Sequence, residues 1–215
     1  MPKVVREYKD QARARIVEAA SEVFRRKGLS GATMEDVARE IGVSKGALYL
    51  YFPSKAQLLN ALLQRSRERA MRQLEPLLVS GDVAEGIAST IDHVFSGEVS
   101  PAVWNELLAG AGGDPEVREA LRRDQESDLH IVRGFLRRLE ARHRIPPMAD
   151  ANVTADAILL LLMGTVAQIA QRGKPVDYRH KLERALRLLL GLPVRPSRPV
   201  SNRLKRQAAR ADKDR

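Results

Sequence analysis

Apolar residues recur at spacings of three and four along most of the chain, which is the period of an amphipathic α-helix. Strand-like alternation of apolar and polar residues is absent, and runs of β-branched residues are rare. The pattern therefore predicts an all-α fold. With capping residues, glycines and prolines as boundaries, it predicts helices at about 9–27, 34–41, 44–51, 54–74, 82–95, 101–111, 114–144, 150–172 and 178–190.

The helices predicted at 34–41 and 44–51 are short and joined by a tight turn. Thr33 is suited to cap the first helix, and Gly42 to end it at positive φ. Ser44 is suited to cap the second. Two short helices joined in this way form a helix-turn-helix, whose second helix lies in the major groove of DNA.

The second of these helices carries side chains suited to DNA. Lys45 can donate to guanine, Gly46 allows a close approach of the backbone, and Ala47 offers a methyl group to thymine. The tyrosines of this segment could instead be half-buried core residues, and a helix–glycine–helix corner occurs in any three-helix domain. The residues predicted to bind DNA bases or phosphates are Thr33, Ser44, Lys45, Gly46, Ala47, Tyr49, Tyr51 and Lys55.

The net charge of +10 is unevenly distributed. Residues 1–60 carry 11 basic and 7 acidic side chains, residues 61–193 carry 18 of each, and residues 194–215 carry 8 and 2. A polyanionic partner is therefore expected at one or both ends, although a basic tail can also serve only for solubility.

Two motifs point to a known family. Gly28, Thr33, Val37 and Ala38 form the first, and the second, G-V-S-x-G-x-L-Y-x-Y-F-x-x-K-x-x-L, runs over 42–58. With them, the segment 14–63 resembles the TetR (tetracycline-repressor) family of bacterial transcriptional regulators; beyond Leu63 the resemblance is one of architecture only. It implies a homodimer that binds a palindromic DNA operator, as a repressor by default, and is released by a small-molecule effector.

The expected organisation has three parts. Residues 1–60 would form a three-helix, helix-turn-helix DNA-binding domain, and residues 61–192 a helical ligand-binding and dimerisation domain. Residues 193–215 would form a basic, disordered tail.

A ligand pocket is implied by the resemblance. Asp124, Asp128 and Glu106 are expected to face solvent; turned inward, they would favour a cationic ligand. A lone tryptophan such as Trp104 is more often a core residue. The candidate lining residues are His93, Phe95, Trp104, Gln125, Asp128 and His130.

The last two predicted helices are strongly apolar, and 157–169 has almost no polar face. Such a helix must be covered on every side. The expected cover is a second copy of the chain, packed as a four-helix arrangement; a central core helix within one subunit is the alternative. The predicted interface residues are Leu160, Met163, Leu182, Leu186 and Leu189.

Other classes of function find little support. Residues 42–46 match the G-x-S-x-G nucleophile elbow, but a capped helix precedes them where that motif needs a strand. The chain has no cysteine, and its four histidines are far apart. We therefore expect no enzyme, no metal or cofactor, no membrane association and a cytoplasmic location. The competing hypothesis is an architectural protein that coats DNA without sequence preference or ligand control.

Overall fold

The computed structural model describes residues 3–96, 99–109, 114–172 and 175–194, and within these ranges the chain is helical and contains no strands. The predicted all-α class is confirmed. The helices are α1 Lys3–Gly31, α2 Met34–Ile41, α3 Lys45–Tyr49, α4 Lys55–Ser80, α5 Val83–Ser96, α6 Pro101–Leu108, α7 Pro115–Ala141, α8 Ala151–Arg172 and α9 Pro175–Leu189.

Helix α1 is longer than predicted at both ends, but it is interrupted where its glycine predicts a stop. Gly28 has φ 74° and ψ 167°, which are not helical values. An ideal Cβ at Gly28 would lie 2.3 Å from Oε1 of Glu106, which belongs to α6. The backbone conformation therefore requires glycine at this position, and any larger residue would also displace the Glu106 carboxylate.

Helix α4 continues past the point where the sequence predicts an end or a kink. Pro76 lies inside the helix, which ends only at Gly81, where φ is 70° and the N–H donates to Leu77 O at 2.8 Å. Proline removes one hydrogen bond from the helix. The packing of α4 against α5 and α7 offsets this loss, so α4 extends the whole way from the helix-turn-helix into the second half of the chain.

Helix α7 ends at Ala141, earlier than predicted. His143 has φ 54°, in the left-handed region, and Arg144 N donates to Leu139 O at 2.9 Å. This closed turn ends the helix before Pro146 is reached.

Buried apolar side chains form two clusters. The first contains residues of α1, α2, α3 and α4, and it also includes Val99, Val103, Leu107 and Val117. The second joins α5, the distal part of α7, α8 and α9. The first cluster thus includes residues from beyond 60, and the predicted boundary at 60 lies inside α4. Of the predicted tail, 195–215 lies outside the described residues.

Length and composition alone would allow α8 to cross a bilayer, an indication that core helices of soluble proteins share. In this structure α8 packs against α6, α7 and α9.

Candidate functional sites

The helix-turn-helix is fixed by its caps. Thr33 Oγ1 accepts from Asp36 N at 3.1 Å, and Asp36 Oδ2 accepts from Thr33 N at 3.1 Å, which completes a capping box. A 2.6 Å contact from Lys27 Nζ, with the hydrogen bonds from Thr33, holds the pKa of Asp36 well below its ordinary value. Gly42 then turns the chain at φ 78°. Because the Thr33 hydroxyl is engaged in the cap, a phosphate would have to share it.

Helix α3 shows one face to solvent and one to the core. Ser44 caps it by accepting from Ala47 N at 3.2 Å, and Leu48 is fully buried. On the outer side Lys45, Gly46 and Tyr49 are exposed. Apart from its chain neighbours and the backbone of its own helix, no described atom lies within 4 Å of an ideal Cβ on Gly46, so this face is open to a large partner.

The positive charge of Lys45 on this face is paired with a neighbouring carboxylate. Lys45 Nζ forms an exposed ion pair with Glu35 of α2. The hydrogen bond and charge of Glu35 raise the pKa of Lys45, which is therefore a cation at neutral pH. Exposed pairs of this kind are weak, so DNA can compete for Lys45.

Two of the residues predicted to contact DNA serve other purposes in this structure. Lys55 Nζ donates to the carbonyls of Leu29, at 3.0 Å, and Ala32, at 3.3 Å, so its ammonium joins the start of α4 to the end of α1. Tyr51 is half-buried and packs on the first cluster. A phosphate contact from Lys55 would require it to leave these carbonyls. These two roles stay predictions, as do those of the other six residues.

A cavity of about 190 Å³ lies between the helices of the second half of the chain. Its wall is mainly leucine, isoleucine and valine from α4, α5, α7, α8 and α9, together with Trp104 of α6 and Phe135. Three of the predicted lining residues, His93, Trp104 and Asp128, do line it. One polar contact in this wall joins Ser66 Oγ and His93 Nε2 at 3.3 Å.

The other three predicted lining residues do not line this cavity. Gln125 Nε2 lies 3.9 Å from Met163 Sδ, and Phe95 lies under the guanidinium of Arg179 at 4.8 Å. His130 lines a shallower groove between α4 and α7. On a long helix such as α7, a small error in the predicted orientation about the helix axis moves a residue from the cavity wall to the outer surface.

Sequence reasoning missed Arg67, the basic residue of the cavity wall. Arg67 Nη2 lies 2.8 Å from Oδ1 of Asp124, and Arg67 Nε lies 4.0 Å from Oδ1 of Asp128. Spacing could have located Arg67, since it follows the buried Leu59 and Leu63 at intervals of four. The run of charges over 65–72 obscured this stripe.

The expectation that the three acidic residues face solvent was wrong. Asp124 is 4% exposed, and Asp128 lines the cavity. Burial, followed by the charge of Asp124, raises the pKa of Asp128 to about 7, and burial also raises the pKa of Asp124 against the opposing effect of Arg67. Glu106 accepts from the backbone N–H groups of Leu29, at 3.2 Å, and Ser30, at 2.8 Å.

The predicted interface residues fall into two groups. Leu160 is 70% exposed, and Met163 and Leu189 are half-buried. Leu182 and Leu186 are 2% and 3% exposed, because they belong to the second cluster of the same chain. The prediction that these two leucines lie at a subunit surface was wrong: α9 turns them inward against α5, and Leu188 takes the outer position, 69% exposed.

Comparisons with known proteins agree with this architecture. The family model described as bacterial regulatory proteins, tetR family, matches residues 16–62. The uncharacterized HTH-type transcriptional regulator YfiR of Bacillus subtilis (strain 168) is 34% identical over 137 residues, which are 61% of this chain and 66% of YfiR. The HTH-type transcriptional regulator UidR of Escherichia coli (strain K12) is 27% identical over 161 residues, or 73% of this chain and 81% of UidR.

Solved structures also share the fold. A TetR transcription regulator from Haloarcula marismortui ATCC 43049 superposes with a TM-score of 0.68 at 15% identity, covering 85% of this chain and 97% of the other. This likeness concerns the fold alone.

Proposed function

This chain belongs to the TetR family of bacterial regulatory proteins, and from that premise we propose that it is a sequence-specific transcriptional regulator. It acts in the cytoplasm as a homodimeric repressor, and a small-molecule effector releases it from DNA. The observation that carries the proposal is the exposed outer face of α3 opposite the buried Leu48, in the same chain as a mainly apolar cavity. No catalytic role is proposed.

On DNA, each subunit places α3 in one major groove. Lys45 leaves Glu35 to donate to a base edge, the absence of a side chain at Gly46 allows close approach, and the hydroxyl of Tyr49 contacts a phosphate. The caps of α2 and α3 hold these groups in register.

The homodimer forms through the outer faces of α8 and α9. Leu160 and Leu188 are exposed leucines on adjacent helices, and no described atom beyond the chain neighbours and own helix backbone of Gly164 lies within 4 Å of an ideal Cβ there. Small and apolar residues together allow two copies to pack closely. Two-fold symmetry then requires two half-sites about 34–36 Å apart, or one helical turn of DNA.

Two helices connect the cavity with the DNA-binding half. Helix α4 carries Lys55 at its start and Arg67 in the cavity wall. Helix α6 carries Trp104 in the wall and Glu106 on the backbone of Leu29 and Ser30. An effector that fits only one arrangement of these helices shifts the population away from the DNA-binding state.

Selection of bound fragments from random DNA tests the regulatory role. We expect a palindrome with half-sites one turn apart, and Lys45→Ala should lose about 1–3 kcal/mol of affinity for it while sparing unrelated DNA. Lys9→Ala is the matched control, since it removes an exposed lysine from the same domain but outside the helix-turn-helix. If the protein binds DNA but the selection enriches no sequence, the result would favour the architectural alternative.

A further inference from the structure

We propose that the effector is a lipophilic cation whose charge lies beside Asp124 and Asp128 and whose apolar body fills the cavity. This inference rests on the proposed function, since it names the chemical class of the effector. Its basis is the balance of charge inside an otherwise apolar space.

The charged groups lining the cavity do not cancel. Arg67 is its only arginine or lysine, against the carboxylates of Asp82, Asp124 and Asp128, with His93 as the remaining titratable group of the described wall. Asp82 serves the start of α5 by accepting from Glu85 N at 3.0 Å. Arg67 is closest to Asp124, and Asp128 is left with the longer contact of 4.0 Å.

The buried pair is also incompletely satisfied. Arg67 Nη2 lies 2.8 Å from Asp124 Oδ1, but the contact lacks hydrogen-bond geometry, and this oxygen has no hydrogen-bond partner in the part of the chain that the structure describes. Asp124 is 4% exposed, so water compensates little. A buried carboxylate oxygen without a directed donor is costly, which favours a ligand that brings positive charge or an N–H group.

The remainder of the wall selects for apolar ligands. Leucine, isoleucine and valine side chains predominate, and burying a strongly polar ligand against them would leave its donors and acceptors unpaired. Trp104 and Phe135 add aromatic rings, whose faces attract cations. An anion would meet the surplus of carboxylates, with Arg67 already paired. Only a cation with an apolar body satisfies both parts of the wall.

Trp104 provides the signal for a test, because it is the only tryptophan in the chain and lines the cavity. The probes are phenyltrimethylammonium, its neutral isostere tert-butylbenzene, and benzenesulfonate as an anion of similar size. Each is titrated into the full-length protein without DNA while tryptophan fluorescence is recorded. We expect saturable quenching by the cation and weaker binding of the anion.

Asp128→Asn should weaken binding of the cation by about tenfold or more, because it removes the carboxylate that lacks a close partner. Binding of tert-butylbenzene should change by less than about twofold, since its interactions are with the apolar wall. Glu126→Gln is the matched control: it removes the same charge from the same helix, but at an exposed position paired with Arg122. It should leave binding of both probes unchanged.

Several outcomes would overturn the inference. They are tighter binding of benzenesulfonate than of the cation, equal effects of Asp128→Asn on the charged and neutral probes, and no quenching by the cation up to about 10 mM. If Asp128→Asn does not fold, Arg67→Gln provides the test in the opposite direction. Removal of the arginine should tighten binding of the cation, and weaker binding would count against the proposal.

Failure of the inference that the effector is a cation can be distinguished from failure of the proposed regulatory function. If a neutral or anionic compound fills the cavity and releases a selected DNA fragment, the regulatory role stands and the cationic class is wrong. If random-sequence selection enriches no fragment while Asp128 still governs cation binding, the binding site stands and the regulatory role is wrong.

Discussion

Replacement of Asp128 by asparagine should stabilise the folded protein, and the gain should grow with pH. The native pKa of Asp128 is about 7, against an ordinary value of 3.8, because burial and the neighbouring Asp124 disfavour its charged form. Asparagine has nearly the same shape and does not ionise. The variant therefore removes the cost of a poorly placed charge with little change in packing.

The sign and size of the effect follow from proton linkage. Between about pH 4 and pH 7 the folded protein holds a proton on Asp128 that the unfolded chain has lost, so the free energy of unfolding falls as pH rises through this window and stays lower above it. The pKa difference corresponds to roughly 4 kcal/mol once the group is ionised in both states. The side chain is 29% exposed, so solvent screens part of this cost. We expect the variant to gain about 2 kcal/mol over the natural chain between pH 4 and pH 8.5.

Urea unfolding at these two pH values measures the gain. Protein concentration and ionic strength are held fixed, because association of subunits would also contribute to stability. Glu126→Gln provides the control, since its carboxylate is exposed and its replacement should show no comparable growth with pH. A difference between variant and natural chain that is the same at pH 4 and pH 8.5, within about 0.5 kcal/mol, would refute the reasoning.

Three further experiments test the DNA-binding face, the interface and the break in α1. Glu35→Gln frees Lys45 of α3 and should raise affinity for the selected palindrome about two- to fivefold by fluorescence anisotropy; an unchanged affinity would show that the ion pair does not compete with DNA. Leu160→Glu should give folded monomers, as measured by light scattering, whereas Leu186→Glu should unfold the chain, as measured by circular dichroism. If the Leu160→Glu variant remains a dimer, α8 is not part of the interface. Gly28→Ala should lower stability by about 1–2 kcal/mol, whereas Gly46→Ala should raise it slightly and weaken DNA binding; equal melting temperatures would contradict the strain at the break.

Local signals in the sequence were sufficient to predict the helix-turn-helix and its caps. Thr33, Gly42 and Ser44 act within a few residues of their own positions, so the caps predicted from residue type are the caps observed. Helical periodicity was likewise sufficient for the all-α class and for most boundaries. Pro76 was misleading because its cost is local, whereas the packing that offsets it comes from distant segments.

The use of long side chains could not be predicted in the same way. Lys55 has the residue type and position of a phosphate ligand, but two carbonyls at the end of α1 lie within its reach. Leu182 and Leu186 form an apolar stripe that suits a partner or a core equally, and only the position of α5 decides between them. Asp128 was among the candidate lining residues, but Asp124 and Arg67 were not, because charged residues in a helix usually face water.

The short segment after the break in α1 is held from two sides at once. Glu106 of α6 accepts from the N–H of Ser30 while Lys55 of α4 donates to the carbonyl of Leu29, so the peptide unit between these two residues is held by opposite charges from two helices that both line the cavity. A genetic screen should therefore find two separable kinds of allele. Changes in α3 should alter which operator is chosen, whereas changes at this clamp should leave operator choice intact and uncouple it from the inducing signal.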